Sequence, residues 1–294
     1  MFMLADFRSF FRLSRPLNVA IALLSYAIAC YFSHHRDVAF LRDPLFGAET
    51  LCLLAIAASG YWINDVFDFR IDRINKPDRL IVNAILSVKK VMTVYLTTTI
   101  LCAIFSYLVF VKLFDKPIIF FVNVLSITLL WIYAAWLKRV SMVGNVLIAF
   151  LTSLVVLLGG HTYGFAVPQV WMAIFAFEVT LLREIAKDAE DIEGDVAYGL
   201  QTLPIQIGLS RTRYVLLLFY VILIISCWLP FIIKAINSDK YLINYLIFSL
   251  LTVQLPAVWL MRHVRRATLP ADFSLQSHYL KLLIFSGIGS LLFL

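Results

Sequence analysis

Nine apolar runs, each close to the roughly 20 residues that carry a helix across a bilayer, govern what this chain can fold into. They fall at about 17–33, 49–66, 91–111, 117–137, 142–160, 168–187, 213–233, 241–261 and 275–293. A soluble domain is about 45–50% apolar and about 25% charged; here 62% of 294 residues are apolar and 15% charged, with a mean hydropathy of +0.90. The sequence therefore predicts an all-α polytopic membrane protein. The first run follows Arg8, Arg12 and Arg15 but lacks a small-residue cleavage pattern, so it reads as the first span and not as a cleaved signal.

The basic residues sort by side. The N-terminal segment and the connections after spans two, four, six and eight, taken with Arg183, Lys187 and Arg213 at the adjoining span ends, hold 18 Lys and Arg, against 6 on the opposite side. By the positive-inside rule this places the N-terminus in the cytoplasm and the C-terminus outside. The net charge of +7 is thus explained by topology and anionic lipid, and not by nucleic acid. Cys30, Cys52, Cys102 and Cys227 lie within apolar runs, with no CxxC spacing, and read as buried thiols. No linker or low-complexity tract divides the chain, which predicts one domain over 1–294.

The acidic residues are not spread evenly. Of 18 Asp and Glu, 11 fall in 65–78 and 178–195, where the second and sixth spans end on the cytoplasmic side. Asp65, Asp68 and Asp72 repeat the 0, +3, +7 spacing of Asp188, Asp191 and Asp195. At about 100° per residue, three carboxylates so spaced share an arc of about 60° on a helix face. Pro77 should end the first helix near Asn75, and Gly194 is placed to end the second before Asp195.

Stacked carboxylates repel, and near hydrocarbon an uncompensated one costs about 2.5 kcal/mol or more. Arg70, Arg73, Lys76, Arg79, Arg183 and Lys187 would suffice for ion pairs alone. Repetition of one Asp-only spacing at two sites instead suits Mg²⁺, which takes one or two protein carboxylates and completes its shell with water and phosphate. With cations to hold a diphosphate and apolar spans to hold a hydrocarbon tail, the pattern points to a lipid-diphosphate enzyme. Glu178, inside the sixth span, is an intramembrane carboxyl that either bonds a neighbouring helix or meets substrate. His161 and Tyr163 fall in a short uncharged outer loop and read as interfacial.

These residues resemble the UbiA superfamily of intramembrane prenyltransferases. Its NDxxDxxxD signature stands here as Asn64-Asp65-Val66-Phe67-Asp68-Phe69-Arg70-Ile71-Asp72, and its DxxxD signature as Asp191-Ile192-Glu193-Gly194-Asp195. Further likeness lies in Arg15-Pro16-Leu17-Asn18, in 72–79, in Tyr133 through Lys138-Arg139, in Gly144-Asn145 and in Thr202-Leu203-Pro204. The resemblance implies nine transmembrane helices around a central cavity and prenyl transfer from an allylic diphosphate. It makes Asp65, Asp68, Asp72, Asp191 and Asp195, with Asp188 as a sixth, the Mg²⁺–diphosphate anchors. Asn18, Asn64, Arg73, Arg79, Tyr133, Lys138 and Lys187 are the implied diphosphate and acceptor contacts.

Within the superfamily the run from Arg183 to Asp195, with Gly199 and Thr202-Leu203-Pro204, looks most like the branch that prenylates a glycerol hydroxyl of geranylgeranylglyceryl phosphate. After Arg79 that branch continues with Pro and Gly, whereas this chain has Leu80-Ile81-Val82-Asn83-Ala84. An aromatic acceptor of quinone biosynthesis is the alternative, since it shares every motif. A cation transporter is the remote one, because it would want ionisable groups nearer the midplane. The expected partners are a prenyl diphosphate, a lipid or aromatic acceptor and membrane lipid, with no nucleic acid. The expected location is the cytoplasmic membrane, active site toward the cytoplasm.

Overall fold

The computed structural model describes residues 2–236 and 242–293, and every regular element among them is helical. The helices are α1 (Phe2–Leu13), α2 (Pro16–Ser33), α3 (Pro44–Asn75), α4 (Val88–Ser106), α5 (Pro117–Ala135), α6 (Val143–Tyr163), α7 (Val167–Glu190), α8 (Ile192–Ala197), α9 (Leu203–Ile207), α10 (Leu209–Ile236), α11 (Leu242–Ser249), α12 (Leu255–Arg266) and α13 (Pro270–Leu291). Seven helical stretches among the described residues are long and apolar enough to cross a membrane: Pro16–Ser33, Pro44–Asn75, Val88–Leu113, Pro117–Ala135, Val143–Tyr163, Leu209–Ile233 and Ile243–Arg266. The chain is an integral membrane protein.

The expected sixth and ninth runs form α7 and α13, but their composition keeps them out of that count of seven. α7 carries Glu178, Arg183, Glu184, Lys187, Asp188 and Glu190, and α13 carries Asp272, Gln276, His278 and Lys281. A helix that packs against protein need not be uniformly apolar. α7 buries Met172, Phe175, Val179, Leu182 and Ile185 among other residues, and Phe175 lies so close over Gly287 of α13 that a Cβ there would meet its ring at 1.9 Å. All four cysteines are buried and unpaired, as expected.

The contacts divide the chain into two compact units: 1–138 with 158–164, and 139–157 with 165–294. In the first, α3 is the longest element, at 32 residues. It begins at Pro44, behind an Asp43 cap whose carboxylate accepts from the Leu45 N–H at 2.8 Å. At 1.5 Å per residue it runs about 48 Å, well beyond a hydrocarbon core of about 30 Å. Its last turns carry Asp65, Asp68 and Asp72. Pro77 follows the end of α3 at Asn75, where the sequence placed it.

Helix α1 is too short to span and packs on the C-terminal half of α3. Leu13 joins Val66 of α3 with Ile81, Val82, Leu86 and Val91 in one buried cluster, flanked by Phe10 and Trp62. Trp62 Nε1 donates to Ser14 Oγ at 3.0 Å, and its ring meets Phe10 edge-on at 5.5 Å. The departure after Arg79 thus has a packing role, since Ile81 and Val82 are core residues of this cluster. The last turn of α6, not a loop, holds His161 and Tyr163; Tyr163 packs on His34 and Phe40.

In the second unit α7 packs against α10 and α13. Here the structure moves the helix end that was expected at Gly194, and it places Asp195 in a helix and not in a turn. α7 ends at Glu190, Asp191 turns at φ −90°, ψ 9°, and Gly194 lies inside the new helix α8. The reason is electrostatic. A continuous helix would crowd these acids at its negative C-terminal end, whereas the break puts Glu193 and Asp195 in the first turn of α8, at a positive end.

Candidate active site

On α3 each of the first two aspartates meets a cation from a distant segment. Arg15 Nη2 donates to Asp65 Oδ1 at 2.7 Å, and its guanidinium lies 4.8 Å over the Tyr61 ring. Lys138, just beyond α5, donates its ammonium to Asp68 Oδ1. Asn64 Nδ2 donates to Asp68 Oδ2 at 2.8 Å, while the side-chain oxygen Asn64 Oδ1 is buried and has no hydrogen-bond partner among the described residues. The side chains of Asp65 and Asp68 are 16% and 17% exposed, that of Lys138 only 8%, so this pairing is mostly shielded from water. Such charge-assisted bonds are the stronger ones.

Asp72 is half-buried on α3, and its carbonyl accepts from Lys76 N–H at 2.8 Å. Arg73 is exposed in the last turn of the same helix. Asn18 and Tyr133 are half-buried on α2 and α5. The Arg79 side chain lies outside the described residues.

In the second unit Asp188 Oδ2 accepts from Asn145 Nδ2 of α6 at 2.7 Å. Asp191 is half-buried and Asp195 buried at 6% exposure. Asp195 is fixed by the turn that follows it. Leu200 N–H donates to the Asp195 carbonyl at 3.0 Å and Gly199 N–H to the Val196 carbonyl at 3.1 Å. This pair of bonds closes a helix C-terminus through a residue with positive φ, and Gly199 supplies it at φ 70°. Lys187 lies 3.9 Å from Glu184 Oε2, and Arg183 bonds Glu184 Oε1 at 2.5 Å. Glu190 accepts from Ser277 Oγ of α13 at 2.8 Å.

Arg15 and Asn145 are contacts that the sequence reading missed. Arg15 counted there as a topology charge; both belong to short stretches singled out by resemblance, Arg15-Pro16-Leu17-Asn18 and Gly144-Asn145. Among the described residues no three Asp, Glu, His or Cys side chains converge to hold a metal unaided. That is compatible with Mg²⁺, which needs only one or two protein carboxylates beside water and phosphate. The oxygen-only donors and the unpartnered Asn64 Oδ1 fit such an ion.

Apolar helical spans that carry partly buried, cation-paired carboxylates define an integral membrane protein with a charged site. The chain belongs to the UbiA prenyltransferase family, whose family model matches residues 18–283, and it is a prenyltransferase. It is 28% identical to the digeranylgeranylglyceryl phosphate synthase of Sulfurisphaera tokodaii over 97% of this chain and 98% of that one. Among solved structures, one described as digeranylgeranylglyceryl phosphate synthase in membranes is 26% identical, with a TM-score of 0.69 over 98% of this chain and 99% of the other. A UbiA homologue from Archaeoglobus fulgidus, bound to GPP and Mg²⁺, shares the fold at 16% identity, with a TM-score of 0.64 over 96% of this chain and 99% of that one.

Proposed function

We propose that this chain, acting as one catalytic domain over 1–294, transfers a geranylgeranyl group from its diphosphate to a glycerol hydroxyl of geranylgeranylglyceryl phosphate. Its likeness to digeranylgeranylglyceryl phosphate synthases supports that acceptor. In this reading α7 and α13 complete nine spans, and the N-terminus and both aspartate motifs face the cytoplasm in the cytoplasmic membrane.

The observation that carries the reading is the α3 cluster: two carboxylates one turn apart, each held by a cation from another segment, beside an unpartnered amide oxygen. Asp65, Asp68, Asp72, Asp188, Asp191 and Asp195 are the residues that would hold Mg²⁺, which supplies positive charge to the departing diphosphate when bound. Lys138, Lys187, Arg73 and Arg79 bind diphosphate oxygens, and Asn18 and Asn64 orient them. Breakage of the allylic C–O bond leaves a delocalised carbocation, and the acceptor oxygen attacks it as its proton departs. Tyr133 presents a ring face to that cation.

The test is incorporation of labelled geranylgeranyl diphosphate by purified protein, given geranylgeranylglyceryl phosphate in one reaction and phenolic or naphthoate acceptors in others. Product from the glyceryl phosphate alone supports the proposal, and product from an aromatic alone replaces the acceptor. Alanine at Asp68 or Asp191 should abolish turnover in folded protein; undiminished turnover in both would remove the motifs from the mechanism.

A further inference from the structure

At the basic end of α12 a half-open groove of about 940 Å³ runs to the start of α13, lined by Trp259, Arg262, His263, Arg265, Arg266 and Asp272 among others. Among the described residues none of the three guanidiniums pairs with a carboxylate. Asp272, the acidic group of the lining, is committed to capping α13: its Oδ2 accepts from Thr268 N–H at 2.8 Å and Leu269 N–H at 2.9 Å. Those two bonds hold its carboxyl below the usual range, so it stays an anion engaged with backbone. A fourth guanidinium approaches from α10, where Arg213 Nη1 donates to the Arg265 carbonyl at 3.5 Å.

The groove also has an apolar side. Trp259 lies tilted against His263 at 4.1 Å and meets Tyr279 edge-on at 4.9 Å, and the Trp259 and Tyr279 rings are partly exposed. Aromatic residues of this kind mark the headgroup level of a bilayer. One helical turn from Trp259 and Tyr279, Leu255 of α12 and Leu282 of α13 are exposed, as is Val258, one turn from Arg262. Cations at one end, interfacial aromatics in the middle and lipid-facing apolar side chains beyond them describe a seat for an amphiphile and not for a soluble anion.

We infer that this groove binds the phosphate headgroup of an anionic lipid, with Arg262, Arg265 and Arg266 on the phosphate oxygens and the acyl chain along Leu255, Val258 and Leu282. Guanidinium forks match phosphate geometry, and basic pockets between spans seat such headgroups. The site is separate in its residues from both aspartate motifs. It stands at the same end of its unit as the second motif, because Ser277, two residues beyond Leu275 of the groove, bonds Glu190.

The test uses purified full-length protein in detergent, offered dioctanoyl phosphatidate, dioctanoyl phosphatidylcholine or inorganic phosphate, with retained ligand counted by native mass spectrometry. The expected result is one phosphatidate retained per chain at a concentration at least tenfold below that needed for either other probe. Arg262→Gln with Arg266→Gln should lower that occupancy at least fivefold, and each single substitution, available if the double variant does not fold, at least twofold. Equal retention of phosphatidylcholine, equally tight binding of inorganic phosphate, or a retained phosphatidate that survives the substitutions would each overturn the proposal.

Discussion

Arg15 reaches Asp65 from a left-handed backbone. Its φ is 50° and ψ 64°, and its Nη2 lies 2.7 Å from Asp65 Oδ1. A residue before proline is disfavoured in the right-handed helical region, and Pro16 opens α2, so α1 cannot run on through Arg15. The left-handed conformation costs on the order of 1–3 kcal/mol for a residue with a side chain. Packing of α1 on α3 through Leu13 and Trp62 holds it in place. The same turn fixes the α2 start, since Asn18 N–H donates to the Arg15 carbonyl at 2.9 Å.

Loss of that guanidinium should show in turnover. A hydrogen bond to a charged group contributes about 1.5–3 kcal/mol, so Arg15→Gln is expected to lower kcat/KM roughly 10- to 100-fold. Arg15→Lys keeps the charge but not the contact with the Tyr61 ring, and should fall between. Wild-type kinetics in Arg15→Gln would mean that the pair is only structural.

The first aspartate motif was legible because α3 is one uninterrupted helix up to the stop before Pro77, so spacing translated directly into a face. The second was legible only in part: Gly194 marked a helix end before Asp195, but the break falls at Asp191, three residues earlier, where no Gly or Pro announces it. Nor could periodicity announce that Arg15 and Lys138, 50 and 70 residues away from their partners, would be the cations of the first site. Nine apolar runs were read from hydropathy, but α7 owes its tolerance of six charged residues to packing against α10 and α13, which lies in tertiary structure.

Lys138 offers a test that separates pairing from catalysis. Lys138→Met leaves Asp68 with the Asn64 amide as its remaining described partner and is expected to cost about 1–3 kcal/mol. An added divalent cation would restore the missing positive charge. The apparent melting temperature in EDTA should therefore fall below wild type, and Mg²⁺ should recover a larger share of it than it adds to wild type. Equal Mg²⁺ effects on the two proteins would argue against a metal at Asp68.

Two glycines in the first unit make a matched pair. A Cβ on Gly159 would meet Ala29 Cβ at 2.7 Å and the Cys30 backbone nitrogen at 3.0 Å, where α2 and the end of α6 touch. Small residues at such contacts let helices approach closely, and backbone cannot yield cheaply, so Gly159→Ala should destabilise by about 1–3 kcal/mol. A Cβ on Gly60 meets only the flexible tip of Leu130, at 2.9 Å. Gly60→Ala also gains up to about 1 kcal/mol of helix propensity and should be neutral or mildly stabilising. Thermal melts of the two variants in one detergent would decide; similar losses would contradict the contrast.

Glu178 sits within α7, ten residues before Asp188, and accepts from Ser226 Oγ of α10 at 2.6 Å. Ser226 also reaches the Leu223 carbonyl at 2.9 Å, so its single proton has two acceptors within range. A carboxyl at this depth is costly unless bonded, and the partner found for it is a neighbouring helix. Glutamine preserves an acceptor oxygen of the same reach. Glu178→Gln should therefore keep kcat/KM within about twofold of wild type, a difference of about 0.4 kcal/mol. A loss of a hundredfold or more, with the protein still folded, would instead place this carboxyl in contact with the substrate.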